Sequence, residues 1–98
     1  MKNLISGLNK NFESRIRLGI MSVLMANESY DFPGLKETLD VTDGNLASHL
    51  KALEEKGLIR VNKKFIGRKP NTSYSATEEG IIQFRQHLKS LEELIREQ

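Results

Sequence analysis

The chain has 98 residues, which is enough for one small domain built around one hydrophobic core. Hydrophobic residues make up 38% of it and charged residues 29%, a balance typical of a globular rather than a disordered protein. The formal net charge is only +2, and there is no cysteine, so disulfides, thiolate metal sites and thiol redox switches are excluded.

Residues 1–8 are too short and too polar a stretch for a secretory signal, and no apolar run approaches the roughly 20 residues of a membrane span. We therefore expect a single cytoplasmic domain over residues 1–98, with no membrane partner. Residues 1–10 predict a short helix, although Gly7 costs it about 1 kcal/mol relative to alanine. Its apolar groups, Leu4, Ile5 and Leu8, are expected to dock on another helix, in this chain or in a partner.

A longer helix is predicted from about Asn11 or Glu13 to Ala26, because apolar side chains recur there at helical spacing. Gly19 within it suggests a close backbone approach by a neighbouring element. The predicted inner face consists of Phe12, Ile16, Leu18, Ile20, Met21, Val23 and Leu24.

A second, shorter helix is predicted over residues 32–39, after one extended rung at residues 30–32. Pro33 is tolerated in a first turn, where its missing N–H has no intrahelical partner. Phe32, Leu35 and Leu39 would face the core. A tight connection at residues 40–41 leads to the next helix, and two short helices so joined are typical of a helix-turn-helix.

The third predicted helix, residues 42–56, has the clearest start and end signals in the sequence. Thr42 can cap its first turn, and Gly57 can take the left-handed conformation that ends a helix. Leu46, Leu50 and Leu53 fall at i, i+4 and i+7 and define one apolar stripe. The opposite face is short and polar, which suits insertion into a DNA major groove, with an ordinary amphipathic surface helix as the alternative. That face holds Gly44, Ser48, Lys51 and Glu55, with Asn45 and Ala52 on one flank.

Two strands, residues 58–66 and 72–76, then predict a β-hairpin. Residues 67–71 are interpreted as a turn of about five residues, because Pro70 argues against a continuous strand. No acidic residue lies between Lys56 and Thr77, and the hairpin favours phosphate binding, with a merely solvated lysine-rich hairpin as the alternative. The basic residues of this segment are Lys56, Arg60, Lys63, Lys64, Arg68 and Lys69.

The last helix begins after Thr77, a second capping residue. Its apolar seam, with steps of three and four, is typical of packing along another helix. Residues 1–10 and 78–98 are therefore predicted to form dimerisation helices, although Ile81, Phe84 and Leu88 have the alternative of packing only on the chain's own core. The predicted dimer interface comprises Leu4, Ile5, Leu8, Phe84, Leu88, Leu91, Leu94 and Ile95.

This order of elements resembles that of winged-helix transcriptional regulators. The local amino-acid sequence is also similar to theirs at residues 17–21, 45–59 and 74–80. In particular the chain is similar to compact MarR- and ArsR-like regulators. The resemblance implies a mainly α fold with a small β-hairpin: a three-helix core, a wing at residues 63–71 and a long C-terminal dimerisation helix. It also implies a homodimer that binds double-stranded DNA and regulates transcription.

The residues expected to touch DNA lie on the third helix and the wing. Asn45 and Ser48 would reach base edges, and Lys51 a phosphate. His49, beside the leucine stripe, would make either a structural hydrogen bond or a phosphate contact. A wing beside a major-groove helix would reach the minor groove or phosphates. The candidate wing residues are Lys63, Lys64, Arg68 and Lys69, of which only one of the two adjacent lysines is expected to meet DNA.

A two-fold dimer would place two recognition helices about one DNA turn apart, which predicts an approximately palindromic operator. The alternative function is a protein–protein interaction module whose basic wing binds an acidic partner. No cofactor, metal site or enzymatic activity is expected, because His49 and His87 lie on different helices and no catalytic set can be assembled. His87 lies off the apolar seam of the last helix and is expected to be a surface or interface residue. A small apolar effector could lie between Leu4, Ile5, Leu8 and the last helix.

Overall fold

The computed structural model describes residues 3–97 and confirms the predicted fold class. Three helices form the core, a β-hairpin projects from it as the wing, and a long helix ends the chain. After a single turn of 3₁₀ helix at Lys10–Phe12, the elements are α1 (Arg15–Ala26), β1 (Tyr30–Asp31), α2 (Phe32–Leu39), α3 (Asp43–Glu55), β2 (Ile59–Ile66), β3 (Lys69–Ala76) and α4 (Glu78–Arg96).

Each of the four α-helices begins at a side-chain cap, which satisfies one N–H of its first turn. The predicted caps are confirmed: the Thr42 hydroxyl accepts from the Asn45 N–H at 3.2 Å, and that of Thr77 from the Gly80 N–H at 3.0 Å. Asp31 caps α2 in the same way, and Ser14 caps α1. These caps fix where α3 and α4 start, and so which of their side chains face the core.

The core lies where α1, α2 and α3 meet the base of the sheet. The three leucines of the α3 stripe are buried as predicted, at no more than 2% exposure. Gly19 makes the close approach that the sequence suggested, because a Cβ there would lie 2.8 Å from a methyl carbon of Leu39. The buried apolar residues are Phe12, Ile20, Met21, Leu24, Leu35, Leu46, Leu50, Leu53, Leu58, Ile59, Tyr74 and Phe84.

The hairpin differs from the prediction at its tip, where β3 begins at Lys69 rather than at residue 72. The loop has only two residues, and Gly67 takes φ +65°, as the first position of a type II′ turn requires. Phe65 pairs with Pro70, one step beyond the pair that flanks the turn, so the proline nitrogen points away from β2. On the other edge of β3, β1 pairs only with Tyr74 and Ser73, so no ladder hydrogen bond is lost at Pro70.

The predicted helix at residues 1–10 is wrong for the residues that the structure describes. Residues 4–7 form a turn, and Met1 and Lys2 lie outside the described range. The segment nevertheless docks on α4 of its own chain, which is one of the two predicted alternatives. Gly7 crosses α4 so closely that a Cβ would overlap the Ser90 hydroxyl. Asn9 then donates its side-chain N–H to Gln83 at 2.9 Å.

His87 was interpreted as a surface or interface residue, and that was wrong, because the docked N-terminal segment covers it. The ring is 3% exposed, and its Nδ1 accepts the Asn9 backbone N–H at 2.9 Å. It packs on Phe12 and Phe84, whose own rings meet edge to face at 5.1 Å. Burial lowers the pKa of His87, against a smaller opposing effect of Glu13.

We expect the free energy of unfolding to fall as the pH drops below about 6.5, the ordinary pKa of histidine. Because the pKa of His87 is lowered in the folded chain, the unfolded chain binds a proton first, and stability is lost as the pH falls toward the folded value. Thermal unfolding followed from about pH 7.5 to 5 measures this. In His87→Gln, an amide oxygen replaces Nδ1 as acceptor without titrating, so the fall should be shallower. An identical pH dependence in both proteins would contradict the assignment.

Candidate nucleic-acid interface

The outer face of α3 presents a polar surface to solvent. Asn45, Ser48 and Lys51 are exposed, opposite the buried leucine stripe. The start of the helix is held by the α2–α3 connection, where Asp40 takes φ 51° and the Lys36 ammonium lies 2.9 Å from the Asp43 carboxylate. The buried and exposed faces of α3 are therefore those that the sequence predicts. The ion pair also ties the N-terminal end of α3 to α2.

His49, on the flank of α3, makes the structural hydrogen bond that was one of its two predicted roles. Arg17 Nε donates to His49 Nδ1 at 2.9 Å, which leaves Nε2 to carry the proton in the neutral ring. Burial, and then the charge of Arg17, lower the pKa of His49. A neutral Nε2–H remains available as a donor. Arg17 was missed as a neighbour of this surface, because 32 positions separate it from His49.

A cleft of about 320 Å³ separates α3 from the wing. Lys51 lines it from the helix and Lys63 from the strand, so two cations face one groove. Glu54 adds one carboxylate to the lining of the cleft. Burial, and then the charge of Glu54, raise the pKa of Tyr74. A groove with lysines on both sides can hold a phosphate backbone. The full lining is Ala47, Leu50, Lys51, Glu54, Val61, Lys63, Thr72 and Tyr74.

The two adjacent lysines of β2 lie on opposite faces of the wing, as the alternation of a strand requires. Lys63 faces the α3 cleft, whereas Lys64 lines a separate cavity of about 470 Å³ beside Tyr30 and Asp31. At the tip, Arg68 occupies the second position of the turn and Lys69 opens β3, and both are exposed. Lys63 thus faces the α3 cleft, and Arg68 lies in the turn itself. Lys69 pairs with Ile66 and so shares the face of Lys64, but it stands at the tip of the wing.

The predicted dimer interface divides into two parts. Phe84 is 1% exposed and belongs to the chain's own core, so its assignment to an interface was wrong: the docked N-terminal segment brings Phe12 onto its ring. Farther along α4, Leu88 is 43% and Ile95 74% exposed, while Leu91 and Leu94 are half-buried. On the N-terminal segment Ile5 is 62% exposed, and Leu4 and Leu8 are half-buried. An apolar surface therefore remains uncovered in the single chain.

A cavity of about 370 Å³ lies where the N-terminal segment meets α4, lined in part by Leu8, Phe12, His87 and Leu91. It overlaps the place suggested for a small apolar effector, whose existence stays a prediction. Within residues 3–97, no group of three or more His, Asp or Glu side chains is placed to hold a metal ion. No helix in that range is both long and apolar enough to cross a bilayer.

Comparison with known proteins agrees with this geometry. A family model described as a winged helix DNA-binding domain matches residues 16–95. An uncharacterised protein of Methanocaldococcus jannaschii is 36% identical over 85 residues, which are 87% of this chain and 92% of that protein.

Two solved structures extend the comparison. A transcriptional regulator homologue from Pyrococcus horikoshii superposes with a TM-score of 0.84 at 31% identity, covering 95% of this chain and 90% of that one. A regulator of the MarR family from Enterococcus faecalis superposes with a TM-score of 0.72 at 25% identity, covering 90% and 74% of the two chains.

Proposed function

The chain belongs to the family of winged helix DNA-binding domains, and on that basis we propose that it binds duplex DNA sequence-specifically as a homodimer. It is a DNA-binding transcriptional regulator rather than an enzyme. The observation that carries the finer proposal is the cleft between α3 and the wing, with Lys51 and Lys63 on its two sides. One DNA strand running through that cleft would place α3 in the major groove and the wing tip at the adjacent minor groove.

On α3, the exposed Asn45 and Ser48 lie near the helix start and are the candidates for base contacts. Asparagine can pair with adenine through two hydrogen bonds, and serine can donate to or accept from several base edges. His49 has a different role. Because Arg17 occupies Nδ1, Nε2–H is its remaining donor, and a backbone phosphate is its proposed acceptor.

On the wing, Arg68 and Lys69 are the proposed minor-groove or phosphate contacts, and Lys63 is the proposed phosphate contact within the cleft. Arginine in particular favours the strong negative potential of a narrow minor groove. Lys64, on the other face, is not placed to reach the same strand. These cations contribute sequence-independent affinity, whereas α3 supplies the discrimination between sequences.

The uncovered apolar residues of α4 support a homodimer, in which two copies of this helix would pack along one another. Leu88 and Ile95 are seven positions apart and share a face, with Leu91 between them. A two-fold axis through this surface would place the two α3 helices on successive turns of the duplex. The expected operator is therefore approximately palindromic.

The proposed function is tested by selecting bound sites from a random duplex library and measuring the affinity of a recovered duplex over a range of salt. Arg68→Ala should weaken binding and reduce the slope of log affinity against log salt by about 1, because one phosphate contact is lost. Lys64→Ala removes the same charge from the other face and should change the slope less. If the wild-type protein binds the selected duplex no better than a random one, the proposal fails, and the alternative of an acidic protein partner is favoured.

A further inference from the structure

Phe65 presents its ring to solvent near the tip of the wing, where it is 72% exposed. We propose that this ring is an apolar contact to the sugar walls of the DNA minor groove, adding affinity that salt does not screen. The inference rests on the proposed function, and it assigns a role to a residue that carries no charge. An exposed phenylalanine leaves a large apolar area in water, so covering it on binding is favourable by itself.

The position of Phe65 follows from the alternation of β2. Val61 and Lys63 line the α3 cleft, and Phe65 is the next residue on the same face, about 7 Å farther toward the tip. Ile66 is also exposed, at 60%, but it lies on the opposite face and lines the cavity beside Tyr30. A strand of DNA held by the cleft lysines would therefore pass the ring of Phe65 and not the side chain of Ile66.

The charges around Phe65 decide what can cover it. Lys63 and Lys64 precede it, Arg68 and Lys69 follow it, and no acidic residue lies between positions 56 and 77. The wing of a second copy would be repelled by this cluster. A fitting partner is anionic and offers apolar surface between its charges, as the minor groove does with its phosphate rims and deoxyribose walls. An anionic lipid surface shares that chemistry, but the continuity of this face with the α3 cleft favours DNA.

The hairpin also holds the backbone of Phe65 in a fixed place, which reduces the entropy cost of binding. The cross-strand partner of Phe65 is Pro70, whose backbone φ is restricted by its own ring. The two-residue turn at Gly67 ties these strands together directly beyond that pair. Phe65 is thus displayed on a short, paired frame rather than on a mobile loop.

The test compares Phe65→Ala with Ile66→Ala, its exposed neighbour on the opposite face, using a selected duplex of about 30 base pairs. Phe65→Ala should weaken binding about fivefold to thirtyfold at every salt concentration, with the slope of log affinity against log salt unchanged. Ile66→Ala should weaken it less than about twofold, since its side chain remains in solvent. Thermal unfolding should give the same Tm for both variants and the wild type, because both side chains are exposed.

The possible results separate the two proposals. If the wild-type protein binds the duplex and Phe65→Ala binds equally well, the role of Phe65 is refuted while the regulator remains. A reduced salt slope in Phe65→Ala would also refute it, because an apolar contact releases no counterions. If the wild type binds no duplex specifically, the proposed function and the inference both fail. Binding to phosphatidylserine vesicles that depends on Phe65, with duplex binding independent of it, would assign the ring to a membrane surface instead.

Discussion

Gly80→Ala is expected to destabilise the folded chain by about 3 kcal/mol or more, and to lower the Tm by about 10 °C or more. Gly80 lies in the first turn of α4 and packs directly on the backbone of Leu58, between α3 and β2. An alanine Cβ would overlap the Leu58 carbonyl oxygen and lie 2.9 Å from the carbonyl carbon. Because Thr77 hydrogen-bonds to the same carbonyl, α4 cannot move away without losing that bond. Thermal and denaturant unfolding measure the loss.

Gly44→Ala is the matched control, since it makes the same change in the first turn of α3. Nothing lies within 4 Å of the position that its Cβ would occupy. Alanine is favoured over glycine in a helix by up to about 1 kcal/mol, so this variant should be as stable as the wild type or more so. A loss of stability in Gly80→Ala and a gain in Gly44→Ala would show that packing against Leu58, rather than helix propensity, decides the result. A Gly80→Ala protein with the wild-type Tm would contradict the packing described here.

The start and orientation of α3 could be predicted from local sequence because both depend on nearby residues. Thr42 caps an N–H three positions ahead, and the buried stripe of Leu46, Leu50 and Leu53 repeats at the helical period. The same reasoning placed Asn45 and Ser48 on the exposed side. Local rules of capping and periodicity thus determine which face of this helix is available to DNA.

Contacts between distant positions could not be predicted in this way. His87 is buried only because Asn9, 78 positions earlier, folds back onto α4. No periodicity of α4 alone indicates that cover, so the ring was assigned to the surface and Phe84 to an interface. Arg17 and His49 meet for the same kind of reason, through the packing of α1 against α3.

The start of β3 could not be predicted from the usual effect of proline on a strand. Proline in a strand normally removes a ladder hydrogen bond, but Pro70 lies where β3 has no second neighbour. Where β3 can begin therefore depends on β1, which is only two residues long and leaves the N–H side of Pro70 without a partner strand. The sequence of β2 does carry one further signal, because Val61, Lys63 and Phe65 alternate and so place an aromatic ring on the face of a candidate phosphate contact.

Leu88→Glu is expected to convert the proposed homodimer into a monomer and to weaken operator binding at least about a hundredfold. A buried carboxylate without a partner is costly, so two copies of α4 could no longer pack along this face. Each monomer would then hold one half-site without the effective concentration that a linked second site provides. Because Leu88 is 43% exposed in the single chain, the monomer should remain folded. Sedimentation equilibrium gives the mass, and titration of a palindromic duplex gives the affinity.

Gln86→Glu adds the same negative charge to the exposed surface of α4, about 160° around the helix from Leu88. It should leave the dimer intact and reduce affinity only slightly, so a general charge effect can be separated from the loss of an apolar contact. Ile95→Glu, one heptad beyond Leu88 and 74% exposed, should reproduce the effect of Leu88→Glu in weaker form if the helices pack along this seam. Dimers that persist in both seam variants would place the interface elsewhere. An operator affinity that survives in a proven monomer would show that α3 and the wing suffice without the second copy.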